Sequence, residues 1–265
     1  MKFVRFTIGS GSPQFGWVLG DHIGVIDGDI FSEYHRLEAD LPLEGVRLLA
    51  PVIPGKIIGV GRNYFEHARE HGVDVPEIPI IFLKPPSSLI GPGDSIILPP
   101  QSQQVEHEAE LAVVIGKTAR WVDAINATEY ILGYTIANDV TARDLQNRDA
   151  QWTRGKGFDS FCPLGPWIDT DLDPSDLMIQ CRVNNELRQM ASTHQMVFTI
   201  NQIIAFVTSV MTLNPGDVIL MGTPAGVGPL TPGDLVEINI ENLGILRNPV
   251  IDGRNVAGNL VKSDS

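Results

Sequence analysis

Cysteine is almost missing from this chain: Cys162 and Cys181 are the only two in 265 residues. They form no Cys-x-x-Cys pair and no metal-ligand spacing. That excludes a disulfide scaffold or a thiolate zinc site and points to a reducing, cytoplasmic setting. Positive charge is also short, with 19 Lys and Arg against 32 Asp and Glu and a net charge of −13. No basic face is available to neutralise phosphates, so a nucleic-acid partner is not expected. Long apolar runs are absent too. The longest stretch without Asp, Glu, Lys or Arg, from Gln189 to Gly216, carries Asn201, Gln202 and several Thr, so no membrane span is expected. Met1-Lys2-Phe3-Val4-Arg5-Phe6 alternates charged and apolar groups and lacks the apolar region of a signal peptide.

Glycine and proline, by contrast, are plentiful, at 26 and 19 residues. They punctuate many short segments, which favours a β-rich, turn-rich fold. Residues 2–8 and 14–20 read as a hairpin-like pair of strands. A short helix and a loop are expected from there to Val52, so residues 1–53 form a small N-terminal subdomain and 54–265 the main domain. Three Pro-Gly-Asp turns, at Pro92, Pro215 and Pro232, each precede a β-like run. The clearest helix covers Ile200–Met211, with a Thr199/Gln202 capping box, a Phe198/Ile203 staple and one apolar stripe. Val183-Asn184-Asn185-Glu186 reads as a hairpin turn. Strands outnumber helices and show no regular βαβ alternation, giving an α+β, mainly β class.

The most informative stretch is Val105-Glu106-His107-Glu108-Ala109-Glu110, which runs into the apolar strand Leu111–Ile115. Alternation along a strand sends Glu106, Glu108 and Glu110 to one side. A lone Glu-x-Glu is commonly a solvated strand start. Here the strand enters the core, and carboxylates carried toward a buried place repel unless a cation lies among them. Oxygen ligands suit a hard ion such as Mg²⁺, Mn²⁺ or Ca²⁺. Asp139 ends the apolar run Tyr134–Ala137. By itself it is a helix N-cap candidate, but with Glu108 and Glu110 it completes a three-carboxylate site.

His67 and Glu70 sit three apart on a short helical segment, a spacing at which a carboxylate orients an imidazole; Glu66 and His71 offer competing pairs. Arg143, Gln146 and Lys156 follow Asp139. Arg143 supplies a planar fork for a carboxylate, and Lys156 a point charge between Gly155 and Gly157. The segment Gly222–Pro229 could turn backbone N–H groups toward an anion. Gly59-Val60-Gly61 lacks the third glycine of a dinucleotide fingerprint, so a Rossmann reading is rejected.

Together these segments resemble the fumarylacetoacetate hydrolase superfamily. The resemblance rests on Gly61-Arg62-Asn63-Tyr64-x-x-His67-x-x-Glu70, Phe82-Leu83-Lys84-Pro85, His107-Glu108-x-Glu110-Leu111, Asn138-Asp139-Val140-Thr141-Ala142-Arg143-Asp144, Lys156-Gly157-Phe158-Asp159 and Gly222-Thr223-Pro224-x-Gly226-Val227-Gly228. It spans roughly Pro54 to Pro249 in matching order. It implies a mixed β-sandwich roll, a homodimer, and Mg²⁺ or Mn²⁺ held by Glu108, Glu110 and Asp139, with Ca²⁺ as a substitute in a crystal. It also implies a His67–Glu70 water-activating dyad in a lid, an active-site Lys156, and substrate contacts from Arg143, Gln146, Thr223, Arg62 and Tyr64. The additional Asp ligand of the eukaryotic tyrosine-catabolic members is absent. The expected activity is C–C hydrolysis of 2,4-dioxo acids such as acylpyruvates, or decarboxylation of oxaloacetate-like acids. The alternative is an isomerase or decarboxylase of the 2-hydroxyhepta-2,4-diene-1,7-dioate type in aromatic catabolism. An alternative of another class is a non-catalytic Ca²⁺-binding β-module.

Overall fold

The structure, a computed structural model, describes residues 1–254; the end of the expected 54–265 domain lies outside the described residues. The chain opens with strands β1 (Lys2–Thr7), β2 (Gln14–Leu19), β3 (His22–Gly28) and β4 (Tyr34–Pro42). The helix expected before Val52 is not there: that region holds β3, β4, a single 3₁₀ turn at Leu43–Gly45 and a strand at Arg47–Leu49. The reason lies in two places. Ile23 and Ile26 of β3 are buried against the preceding hairpin, with β2 and β3 in antiparallel register. The Leu, Glu and Ala of β4 look helical in isolation, but its charged, mostly exposed side chains suit a solvated edge strand.

Next come β5 (Ile57–Gly61), the short helix α1 (Phe65–Glu70), β6 (Ile80–Lys84), β7 (Val105–His107), β8 (Ala109–Ile115) and β9 (Ile131–Asn138). Helices α2 (Arg143–Arg148) and α3 (Thr153–Lys156) lead to β10 (Cys162–Asp169), β11 (Met178–Val183), β12 (Glu186–Ser192) and α4 (Ile200–Val210). The chain then runs through β13 (Val218–Leu220), β14 (Leu235–Ile240) and β15 (Gly244–Asp252).

The main sheet has the order β4-β3-β2-β1-β10-β9-β8-β13-β5-β6. The N-terminal strands therefore extend it through the β1–β10 pairing, Phe3 opposite Ile168. A second sheet, β12-β11-β14-β15 with Ile96–Leu98 at its edge, packs over one face. The shared core brings Leu111, Val113 and Ile136 of the first sheet into one cluster with Ile179, Cys181 and Ile238 of the second. This is a mainly β sandwich with few helices. The apolar run of β8 is explained by burial on both faces: Leu111, Val113 and Ile115 enter that core, while Ala112 and Val114 join the cluster with Phe3, Ile57 and Val218 on the other side. In the three Pro-Gly-Asp turns, Gly93, Gly216 and Gly233 have φ of 80°, 85° and 97°, which only glycine adopts freely.

Helix α4 carries the expected capping box: Thr199 accepts from the Gln202 backbone N–H, and Gln202 reaches back to the Thr199 N–H. Its apolar face buries Ile203, Ile204 and Val207. Thr199→Ala should cost about 0.5–2 kcal/mol, read by denaturant unfolding. Turnover at saturating ligand should not change, because the cap touches none of the residues described next. No helix among the described residues is long and apolar enough to cross a membrane.

Candidate active site

The run Val105–Ile115 is not one strand. It breaks at Glu108, with β7 pairing into a small three-stranded sheet and β8 into the main sheet. The break puts Glu108 and Glu110 beside the end of β9, where the Asp139 backbone N–H donates to the Glu108 carbonyl at 2.9 Å. One oxygen from each of Glu108, Glu110 and Asp139 lies within 4.8 Å of the others, and all three residues are buried. Glu106 takes a different part: its carboxylate accepts from Arg143 Nε at 2.8 Å. Asp139 is not a helix cap, since α2 begins after Ala142 without a side-chain cap.

Cations surround these carboxylates. Lys156 Nζ donates to Glu108 at 2.7 Å and to Asp139 at 2.6 Å. Lys84 Nζ donates to the other Asp139 oxygen at 2.6 Å and to the Lys156 carbonyl. Arg143 binds Glu106 through Nε, Glu108 through Nη2 and the Gln146 side chain through Nη1. Its fork, expected for a substrate carboxylate, is thus engaged with the protein's own acids. Among the described residues Glu110 accepts only a backbone N–H, that of Gly222 at 2.6 Å, and no cation. Four buried carboxylates (Glu106, Glu108, Glu110, Asp139) face three cations, an excess of one negative charge.

Burial and the neighbouring charges together set the electrostatics. Burial, then the Asp139 and Glu108 charges, push the Glu110 carboxyl well above its usual range. Burial works the same way on Glu108, but Lys156 and Arg143 outweigh it and hold that carboxyl well below its usual range. Burial opposes the charge on Lys156 also, yet Asp139 and Glu108 raise its pKa overall. A cluster of three carboxylates with one acid lacking a cation fits a hard divalent ion, through Glu108, Glu110 and Asp139.

Helix α1 lies across the cleft. His67 is buried, and burial, opposed by the Glu108 charge, lowers its pKa to about 4. Its Nδ1 lies 3.4 Å from Glu70 Oε2, facing it without an aligned hydrogen bond. Glu70 in turn accepts from the Gly226 N–H at 3.1 Å, joining α1 to the Gly222–Gly228 loop. A cleft of about 340 Å³ is lined by His67, Glu108, Glu110, Asp139, Lys156 and Arg62, with Arg143, Gln146, Thr223, Phe82 and Trp152 also on its walls. Arg62 holds a left-handed backbone, φ 58°, and among the described residues its side chain has no hydrogen-bond or ion-pair partner. Tyr64 is buried behind this wall, its hydroxyl unpartnered and its pKa raised by burial and by Glu110.

Three contributors carried no role in the sequence. Lys84 closes an apolar strand and is 1% exposed. Gln189, fully buried on β12, binds His107, the Ala109 N–H and Thr223. Asn63 ties the Phe198 and Met221 backbones to the start of α1. Asn63 and Lys84 both lie in the motifs that carry the family resemblance, and Lys84 also ends an apolar strand before Pro85-Pro86. Gln189 sits among exposed neighbours, and nothing local marks it.

The model described as fumarylacetoacetate (FAA) hydrolase C-terminal matches residues 56–251, and that described as Rv2993c-like, N-terminal, matches residues 1–51. The mitochondrial oxaloacetate tautomerase Fahd2a of Rattus norvegicus is 50% identical over 230 residues, 81% of this chain and 74% of the rat protein. The crystal structure of a 5-carboxymethyl-2-hydroxymuconate delta-isomerase from Mycobacterium smegmatis superposes with a TM-score of 0.89 at 46% identity, covering 95% of this chain and 100% of that one. A maleylpyruvate hydrolase from Sphingobium sp. SYK-6, in complex with manganese(II) and pyruvate, gives 0.78 at 34% identity, covering 96% and 100%. The chain belongs to the fumarylacetoacetate hydrolase family.

Proposed function

We propose that the chain is a divalent-metal-dependent enzyme that interconverts the keto and enol forms of a short 2-oxo dicarboxylic acid of the oxaloacetate type. The observation that carries this is a buried, neutral His67 lining the same cleft as the carboxylate cluster. The rat relative's name and its 50% identity support the choice of substrate. A bound Mg²⁺ or Mn²⁺ would supply Lewis-acid polarisation of the 2-oxo oxygen. Glu108, Glu110 and Asp139 would hold it. His67 takes the proton from C3 of the substrate, the C3–H electron pair becomes the C2=C3 π bond, the C2=O π pair moves onto the oxygen, and the protonated His67 then gives its proton to that oxygen to complete the enol. Glu70 keeps the His67 ring turned toward the cleft. Lys156 places a positive charge beside the oxygen on which negative charge develops.

Arg62 lines the cleft and has no ion-pair partner among the described residues, and we assign it the distal carboxylate of the diacid. Arg143, Gln146 and Thr223 line the wall nearer the cluster, where the proximal carboxylate would lie. Tyr64 supports that wall from behind. A non-catalytic Ca²⁺ module is disfavoured, because Ca²⁺ wants about six to eight oxygens and two lysines occupy this cluster. A homodimer, checked by light scattering at twice the chain mass, remains part of the proposal.

The second reading is C–C hydrolysis of a 2,4-dioxo acid with release of pyruvate, or decarboxylation of oxaloacetate. Glu70 beside His67 favours it, since the pair could activate water, and the maleylpyruvate hydrolase shares the fold. The two readings part in one experiment. Oxaloacetate enol absorbance should decay faster with enzyme and Mg²⁺ while a lactate-dehydrogenase couple detects no pyruvate. Pyruvate from oxaloacetate or an acylpyruvate would replace the tautomerase reading with the second. Oxalate, a mimic of the planar enolate, should inhibit competitively in either case.

A further inference from the structure

Helix α1 and the residue that follows it present a second group of metal-ligating side chains, His67, Glu70 and His71, each offering one ligand atom within 4.8 Å of the others. The spacing places all three on one helical face. The two imidazoles stand edge to face with centroids 4.7 Å apart. The His67 side chain is 9% exposed, and its Nδ1, on the Glu70 side, has no hydrogen-bond partner among the described residues. We propose that these residues form a Zn²⁺ site distinct from the carboxylate cluster, and that its occupancy switches the enzyme off.

The ligand chemistry separates the two sites. Mg²⁺ takes oxygen ligands, whereas Zn²⁺ takes imidazole nitrogen with a carboxylate and leaves a fourth position to water. Glu70 and His71 are exposed, so their side chains are free to draw in toward the fixed His67 nitrogen to zinc-ligand distances of about 2.0–2.2 Å. The Gly226 N–H on Glu70 supplies the outer contact that orients a carboxylate ligand. The consequence for catalysis follows from the imidazole itself. A cation on Nδ1 of neutral His67 leaves the ring's proton on Nε2, so the nitrogen that would accept the substrate proton becomes a donor. Zinc would then inhibit without displacing the ion held by Glu108, Glu110 and Asp139. This inference does not depend on which 2-oxo acid is the substrate.

The test uses the full chain saturated with Mg²⁺. Calorimetric titration with Zn²⁺ should reveal a binding equivalent that leaves Mg²⁺ in place, and Co²⁺ in the same titration should develop visible absorption. His71→Ala should weaken that equivalent by about tenfold or more. It should also keep Mg²⁺-dependent turnover and lose the zinc inhibition seen in the parent. Zinc that binds only by displacing Mg²⁺ one for one would overturn the proposal. So would zinc inhibition of His71→Ala equal to that of the parent.

Discussion

Glu110→Gln, Glu108→Ala and Asp139→Ala should each lower turnover by about 10³-fold or more, since the polarisation lost with the ion is worth several kcal/mol and about 1.4 kcal/mol is tenfold in rate. Glu110→Gln is the cleanest of the three. Among the described residues Glu110 has no cation partner, so the amide removes a metal ligand without stranding a buried charge. Glu108→Ala would also leave Arg143 and Lys156 without their shared partner, and Asp139→Ala would leave Lys84 and Lys156 so; each should lose stability as well as activity. Proton release checks the same site independently. The Glu110 pKa is raised in the metal-free cluster, and a ligating carboxylate must be ionised, so Mg²⁺ binding should expel a proton when the pH lies below that raised value. Calorimetry in buffers of differing ionisation enthalpy measures this, and Glu110→Gln should abolish the release. Unchanged Mg²⁺ affinity in all three variants would place the ion elsewhere.

His67→Ala should cut the chemical step by about 10²–10⁴-fold, the usual range for a general base, while Mg²⁺ and oxalate still bind. Glu70→Gln should lose less, because it positions the ring and does not touch the proton in transit. His71→Ala should turn over as the parent does without zinc. The pH profile has a definite sign. Burial lowers the folded His67 pKa to about 4 from 6.5, so the ring is already neutral where an exposed histidine would be protonated. The rate should therefore show no His67-type fall between pH 6.5 and 5 in the Mg²⁺-saturated enzyme. Stability moves the other way from a salt-bridged histidine. The unfolded chain binds the extra proton between those two values, so His67 destabilises the fold as pH drops from 6.5 toward 4, and His67→Gln should soften that loss. A His71→Ala enzyme as inactive as His67→Ala would make His71, not His67, the base.

Periodicity and punctuation made most of the framework legible. Pro-Gly-Asp turns mark three strands, the Thr199–Gln202 box opens α4, and the apolar run Leu111–Ile115 marks a strand that enters the core, where the fold buries both its faces. The miss at β3 and β4 has a physical cause: propensity favours helix for Leu37-Glu38-Ala39, and only pairing with β3 makes that segment an edge strand.

The candidate site divides along the same line. Local sequence determined that carboxylates at alternate positions enter the core at Glu108 and Glu110, that His67 and Glu70 share a helical turn with His71 directly after it, and that acidic residues outnumber basic ones, 32 to 19. These depend on neighbours within a few residues, and strand and helix periods carry them. Tertiary structure decided which charges meet. Glu106 went to Arg143 while Glu110 kept only a backbone N–H. Lys84, 55 residues before Asp139, became its counter-ion, and Gln189 became the link between β7, β8 and the Thr223 loop. Such pairings across the sheets are set by packing and by the cost of leaving a buried charge unpaired, and neither has a local period for a sequence to display.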